Sequence, residues 1–323
     1  LIIAGVFWLV AGFALLVLGS EWVIRAAARV AAALGITPMV IGLTVVSVGT
    51  SVPELAVGIT ASLQGSGSLA VANISGTNLF NLLFILCLSA AIRSLPIALQ
   101  VFKLDLPAMV VAALLLLWMA GDGQLSQLEG AVMVAAAVVY TLALIRITRR
   151  EAPAVKEEFS EEYGIKPNGA GVRARDVAML IAGIAMNVIG ADWLVDGAVT
   201  LARALQVPET VIGLTIVSAG TSAPELVTTV IGTLRNERDV AVGNLLGSSI
   251  YNILIILGLT CAVSPSGVPV EHNLVTVDLP VMCAAVVLAL PVFWTGRRVS
   301  RLEGWLGIAV YCSYLFYLIR FRS

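Results

Sequence analysis

Charge is what this chain has least of. Asp, Glu, Lys and Arg make up 12% of its 323 residues against 59% hydrophobic residues, and the mean hydropathy is +1.00. A soluble domain must show water a polar surface, and stretches such as Leu106 to Ala120 and Ala131 to Ile145 have no polar face to offer. Histidine is nearly missing. The single one, His272, lies in a polar connection, which excludes an intramembrane histidine cluster for zinc or for a proton relay. The four cysteines, Cys87, Cys261, Cys283 and Cys312, fall in apolar segments without CxxC spacing and read as small buried hydrophobes. No His or Lys accompanies Ser51 or Ser222 in the apolar spans, so a serine hydrolase would lack its proton acceptor, and the chain is read as no enzyme. The net charge of −1 says little, because in a membrane protein the placement of Lys and Arg matters more than their sum; no nucleic-acid partner and no prosthetic group are expected.

What the chain does have is apolar runs of about 20 residues, the length that crosses a bilayer core. Bounded by charges, Gly or Pro, they number ten, at roughly 1–33, 38–62, 68–92, 104–121, 126–148, 176–204, 209–233, 239–262, 275–294 and 301–320. The first lacks the basic start and the small-residue exit of a signal peptide and is read as a retained helix. An all-α polytopic membrane protein follows, with the lipid bilayer as its solvent.

The chain also repeats itself. GLTVVSVGTSVPEL (42–55) returns as GLTIVSAGTSAPEL (213–226), identical at eleven of fourteen positions. VANISGTNLFNL (71–82) matches VGNLLGSSIYNI (242–253) at the same offset of 171, Gly19-Ser-Glu-Trp matches Gly190-Ala-Asp-Trp, and Leu104-Asp-Leu-Pro matches Val277-Asp-Leu-Pro. Each half therefore holds five spans in the same order: residues 1–148 and 176–323, joined by a polar linker at 149–175. Five is odd, so the two copies enter the membrane from opposite sides. Inverted repeats with discontinuous helices are a secondary-transporter architecture, whose sites lie where the breaks meet, and they favour alternating access over a passive channel.

Charge placement tests this count. With the N-terminus outside, sixteen of the nineteen Lys and Arg fall in inward connections, leaving Arg203, Arg320 and Arg322 outside. The positive-inside rule then places both termini outside and the linker in the cytoplasm, as for a prokaryotic inner (plasma) membrane protein. The linker mixes signs, and its EEFSEEYG stretch lacks the D-x-D spacing of a calcium loop, so it reads as solvated chain. Glu21 and Asp192 occupy equivalent places near the ends of helices 1 and 6, and the sequence suggests no more for them than an interface role.

The chemistry concentrates in the repeated motifs. Pro53 has no amide hydrogen and crowds the carbonyl of Gly49, so helix 2 should kink and free carbonyls around Ser47 to Thr50. Such backbone survives at membrane depth only when buried in protein or lining a wet cavity. Glu54 follows Thr50 by four residues, and Glu225 stands at the same place in helix 7. A carboxylate there costs roughly 2.5 kcal/mol or more on insertion scales and marks an ion or substrate path. Asn73, Thr77 and Asn81 share one helical face, as do Asn244, Ser248 and Asn252. All these donors are oxygens, which suits hard cations such as Na⁺, Ca²⁺ or Mg²⁺ and not zinc or copper. Gly243-x-x-x-Gly247 reads as a close-packing surface.

GTSVPE with NISGTNLFN, repeated as GTSAPE with NLLGSSIYN, resembles the two alpha-repeats of the sodium/calcium exchanger family, prokaryotic type, within the cation/calcium antiporters. The likeness covers nearly the whole chain. It implies ten transmembrane helices in two inverted five-helix repeats, with kinked or broken helices 2 and 7 facing helices 3 and 8, and helices 1 and 6 as a sliding gate. By motif position it implies cation ligation by Glu54 and Glu225, by the side chains of Thr50, Ser51, Thr221, Ser222, Thr77, Ser248, Asn81 and Asn252, and by backbone oxygens near Ser47 and Ser218. The implied activity is exchange of Na⁺ for Ca²⁺ by alternating access. Sodium-type relatives can carry Asp where this chain has Asn252, whereas proton/calcium exchangers resemble it in having Glu, Asn, Glu, Asn. That pattern keeps a Ca²⁺/H⁺ antiporter, or one for another divalent cation, as the alternative.

Overall fold

The computed structural model describes residues 2–162, 172–206 and 218–322. Within them the chain forms ten helical rods. The first repeat gives α1 (Ile2–Leu34), α2a (Pro38–Thr50) and α2b (Val52–Leu63), α3 (Gly67–Ile92), α4 (Val101–Asp122) and α5 (Gln127–Glu162). The second gives α6 (Ala174–Ala204), α7a (Ser218–Thr221) and α7b (Ala223–Leu234), α8 (Arg238–Val263), α9 (Leu274–Trp294) and α10 (Arg301–Arg322). Seven are long and apolar enough to cross a membrane, eight with the interrupted α2 taken as one span. The span boundaries expected from the sequence agree to within a few residues, apart from the end of the fifth, where the helix runs to Glu162 and not 148. Residues 209–217 of the seventh lie outside the described residues. So does 163–171 of the linker, whose start is not loose chain, because α5 continues as helix to Glu162.

Helices 2 and 7 break at the same repeat position. Ser51 (φ −84°, ψ 12°) and Ser222 (φ −89°, ψ 8°) leave helical geometry, and each following piece opens with Pro in its first turn, where a missing N–H costs no hydrogen bond. The first turns then close through Leu55 N to Ser51 O (3.2 Å) and Leu226 N to Ser222 O (3.0 Å). Wide π-helical turns recur at paired places too: Phe80–Ile85 with Asn252–Leu257, and Val101–Asp105 with Leu274–Asp278. Such turns are rare and gather at functional sites.

The chain divides into two compact units, each built from both repeats. One comprises Leu1–Thr50 and Leu142–Asn244. Its centre is the antiparallel pair α1 and α6, which meet along two glycine ladders of heptad spacing. Gly5, Gly12 and Gly19 oppose Gly197, Gly190 and Gly183. A methyl on Gly12 would lie 2.6 Å from the Gly190 carbonyl oxygen, and one on Gly190 would lie 2.9 Å from the Gly12 carbonyl oxygen. Small residues let membrane helices approach to backbone contact, and dispersion then holds them. Beyond the ladder Val23, Ile24, Ala27 and Ala31 of α1 join Ile41, Val46, Leu180 and Val240 in a buried apolar cluster.

The other unit comprises Ser51–Thr141 and Leu245–Ser323. Two antiparallel two-residue ribbons tie its connections: β1 (Leu95–Pro96) pairs with β4 (Arg298–Val299), and β2 (Gln124–Leu125) with β3 (Val268–Pro269). Each ribbon joins a connection of one repeat to one of the other. Inside the unit each repeat has a buried aspartate capped by a tyrosine of the next helix. Tyr140 donates to Asp105 Oδ1 (2.9 Å) and Tyr314 to Asp278 Oδ1 (2.7 Å).

Candidate cation site

In the first unit, α2a lies against the opening turns of α8 through Gly42 and Gly243. A methyl on Gly42 would meet the Val240 carbonyl oxygen at 2.7 Å, and one on Gly243 the Met39 carbonyl oxygen at 2.5 Å. Gly243 thus packs closely, as its spacing suggested. This approach sets two hydroxyls beside α8. Ser47 donates to the Gly42 carbonyl (2.6 Å) and reaches the Asn244 carbonyl (3.0 Å), while Thr50 Oγ1 donates to Asn244 Oδ1 at 3.2 Å and also lies 3.3 Å from the Ser47 carbonyl. Ser47, Thr50 and Asn244 are all fully buried. Asn244, singled out in the sequence only as an oxygen donor on its helical face, is the residue that orients Thr50.

The same unit carries the second motif. Thr221, Ser222 and Glu225 are buried at the break and in the first turn of α7b. Ser218 opens α7a, and its side chain lies outside the described residues, as do Gly213 to Val217.

In the second unit, Ser51 and Glu54 are fully buried at the matching break, and Thr77, Asn81, Ser248 and Asn252 are buried on α3 and α8. Both asparagines lie in the π-turns, Asn81 within Phe80–Ile85 and Asn252 at the start of Asn252–Leu257. Among the described residues neither amide atom of Asn81 has a hydrogen-bond partner, nor does Asn252 Oδ1. Native interiors rarely leave such groups unmet, and an orphaned amide oxygen at membrane depth is what a cation that sheds its water would use. Asn252 Nδ2 lies 3.5 Å from Asn78 Oδ1, and Asn78 Nδ2 donates to the Ser249 carbonyl at 3.1 Å. Asn78 therefore orients Asn252. Sequence reasoning missed it, although NISGTNLFN displays it, because Asn78 lies off the Asn73, Thr77, Asn81 face.

Glu21 has a clear role. Its carboxylate takes both Arg25, four residues on, and Arg235 just past α7b, tying α1 to the end of the glutamate-bearing helix. Asp192 stands at the repeat-equivalent place, exposed, with Asp196 where α1 has Arg25.

Comparison with known proteins follows the same lines. The family model "sodium/calcium exchanger protein" matches residues 4–146 and 176–320. The chain is 34% identical over 218 residues to the inner membrane protein YrbG of Escherichia coli, covering 67% of this chain and 66% of that protein. It is 32% identical over 271 residues to the putative antiporter CaxA of Alkalimonas amylolytica, covering 83% and 84%. It is 31% identical over 296 residues to the sodium/calcium exchanger MaX1 of Methanosarcina acetivorans, covering 82% and 84%. Among solved structures, the sodium-calcium exchanger NCX_Mj soaked with Na⁺ and Ca²⁺ superposes with a TM-score of 0.83 at 26% identity, covering 100% of both chains. The fold is thus the ten-helix inverted-repeat one, with helices 2 and 7 broken. The chain belongs to the sodium/calcium exchanger family, a family of membrane transporters and not of enzymes.

Proposed function

We propose that this chain is a secondary active antiporter exchanging Na⁺ for Ca²⁺ by alternating access. The reading rests above all on one observation: two glutamates, Glu54 and Glu225, are fully buried at equivalent helix breaks of an apolar chain. Both would bind one cargo, with Thr50, Ser51, Thr77, Asn81, Thr221, Ser222, Ser248 and Asn252 and the backbone near Ser47 and Ser218 supplying neutral oxygens. Two carboxylates carry two negative charges, enough to neutralise one Ca²⁺ or two Na⁺. Neutral oxygens replace the hydration shell that either ion sheds. Exchange follows from competition: an empty pair of buried carboxylates repels itself, so one cargo leaves only as another cation replaces it. The relative MaX1, named a sodium/calcium exchanger, supports the same choice.

The excess of Lys and Arg in one set of connections supports both termini outside and the 149–175 linker in the cytoplasm, with residues 1–148 and 176–323 as the two repeats. A second reading rests on Asn252, whose neutral amide leaves the core with only two carboxylates. In that reading H⁺ replaces Na⁺, and the glutamates themselves carry the protons.

The test is radioactive calcium uptake into proteoliposomes, comparing an outward Na⁺ gradient with a pH gradient at matched membrane potential. Uptake driven by Na⁺ and indifferent to pH supports the exchanger. Uptake that ignores Na⁺ and follows pH moves the chain to the proton-coupled reading, and uptake under neither overturns both.

A further inference from the structure

Three polar side chains from three helices close a ring in the buried interior of the first unit. Ser20 of α1 donates to Asn187 Oδ1 of α6 at 3.2 Å, and Asn187 Nδ2 donates to Thr228 Oγ1 of α7b at 3.0 Å. Ser20 and Thr228 are 3.0 Å apart. The one hydroxyl hydrogen of Ser20 is already given to Asn187, so Thr228 donates to Ser20 and the ring runs in a single sense. All three residues are fully buried. Gly19 is part of the device, since a methyl there would lie 2.6 Å from Asn187 Oδ1.

The ring sits beside a polar stripe. On α7b, Glu225, Thr229 and Thr233 follow one another at i, i+4 and i+8, on one face that leads from the carboxylate to Arg235, whose side chain is 54% exposed. Thr229 and Thr233 are fully buried, and Thr229 Oγ1 has no hydrogen-bond partner among the described residues. A hydroxyl stripe of this kind suits the passage of a hydrated cation, and here it is buried in protein. The repeat copies of Ser20, Asn187 and Thr228 are Ala191, Leu16 and Val57, each removed by 171 positions. Leu16 and Ala191 belong to an apolar cluster with Ala223. The ring, with Ser20 from the first repeat and Asn187 and Thr228 from the second, thus has no hydrogen-bonding counterpart at the repeat-related positions.

We infer that the Ser20–Asn187–Thr228 ring is the gate on the route between the Arg235 end of α7b and Glu225. This inference rests on the antiporter reading. While the ring is closed, α1 and α6 hold Thr228 and seal the stripe. When it opens, water takes over its hydrogen bonds and fills the stripe as far as the carboxylate.

The test reports stripe hydration directly. In a protein with Cys312, the one exposed cysteine among the described residues, replaced by Ser, Thr233→Cys is labelled by a membrane-impermeant maleimide added on the Arg235 side, and calcium uptake is measured in parallel. Thr228→Val, nearly isosteric but unable to bond, should speed labelling about tenfold or more, because it removes two of the ring's three buried hydrogen bonds, each of ordinary net strength. Thr228→Ser keeps the hydroxyl and should label at the parent rate. Ser20→Ala opens the ring from α1 and should reproduce the Val result, which covers the case in which Thr228→Val does not fold. Labelling that ignores the ring in a protein that still takes up calcium overturns the gate and leaves the antiporter reading standing. Labelling that follows the ring in a protein that exchanges nothing keeps the gate and removes that reading.

Discussion

Adding one methyl group at Gly12 should loosen the α1–α6 pair measurably. In the structure that methyl would sit 2.6 Å from the Gly190 carbonyl oxygen and 2.9 Å from Leu194 Cα, backbone atoms that no rotamer change can move away. The Leu194 backbone nitrogen would be closer still, and ordinary contact begins near 3.4 Å, so the helices must part by about 1 Å at that level. Overpacking of this size costs about 1–3 kcal/mol, a fall in melting temperature of about 3–10 °C for purified protein in detergent. Gly190→Ala should do the same, because its methyl meets the Gly12 carbonyl oxygen at 2.9 Å. The double variant should lose less than the sum of the two, since one separation accommodates both methyls. Gly76→Ala is the control: nothing lies within 4 Å of its missing Cβ, and alanine in a helix should leave the melt unchanged or raise it slightly. Gly12→Ala melting with the parent protein, or strict additivity in the double variant, would refute the close-packed ladder.

Other perturbations follow from the site and its supports. Asn252→Asp places a third carboxylate where an amide oxygen now lacks a partner, and should tighten Ca²⁺ binding about tenfold in equilibrium binding with radioactive calcium. Asn244→Leu removes the acceptor of Thr50 and should weaken Ca²⁺ binding more than it lowers the melting temperature, because the lost bond orients a proposed ligand. Tyr140→Phe strips the donor from Asp105 Oδ1, whose Oδ2 is already without a hydrogen bond among the described residues. It should lower stability by about 1–3 kcal/mol, read as an earlier thermal transition.

Much of this protein is legible in its sequence because two strong rules govern it. A bilayer demands apolar runs of fixed length, which gave ten spans whose ends the described helices meet closely, except for the end of the fifth and the start of the seventh, which lies outside the described residues. Proline removes a helical hydrogen bond and crowds the preceding turn, which located the breaks at Ser51 and Ser222 to within two residues of Pro53 and Pro224, although Pro291 is accommodated inside α9. What stayed hidden depends on partners distant in sequence. Asn78 and Asn244 look like further amides until the structure shows them aiming Asn252 and Thr50. Ser20 and Asn187 are 167 residues apart, and neither reads as anything but a polar residue in an apolar span. The glycine ladders are visible as heptads, yet spacing alone does not say which helix lies opposite. Helical continuation to Glu162 was missed because a mixed-charge composition reports solvation, while conformation there follows helix-forming Ala, Lys and Glu.

The central claim is that two buried glutamates share one divalent cation. Equilibrium binding of radioactive calcium to the purified protein, with Glu54→Gln and Glu225→Gln beside it, tests this most directly. The account predicts one Ca²⁺ per chain, displaced by Na⁺, with binding lost in each variant alone. Saturable binding that survives either substitution at the parent affinity would contradict it.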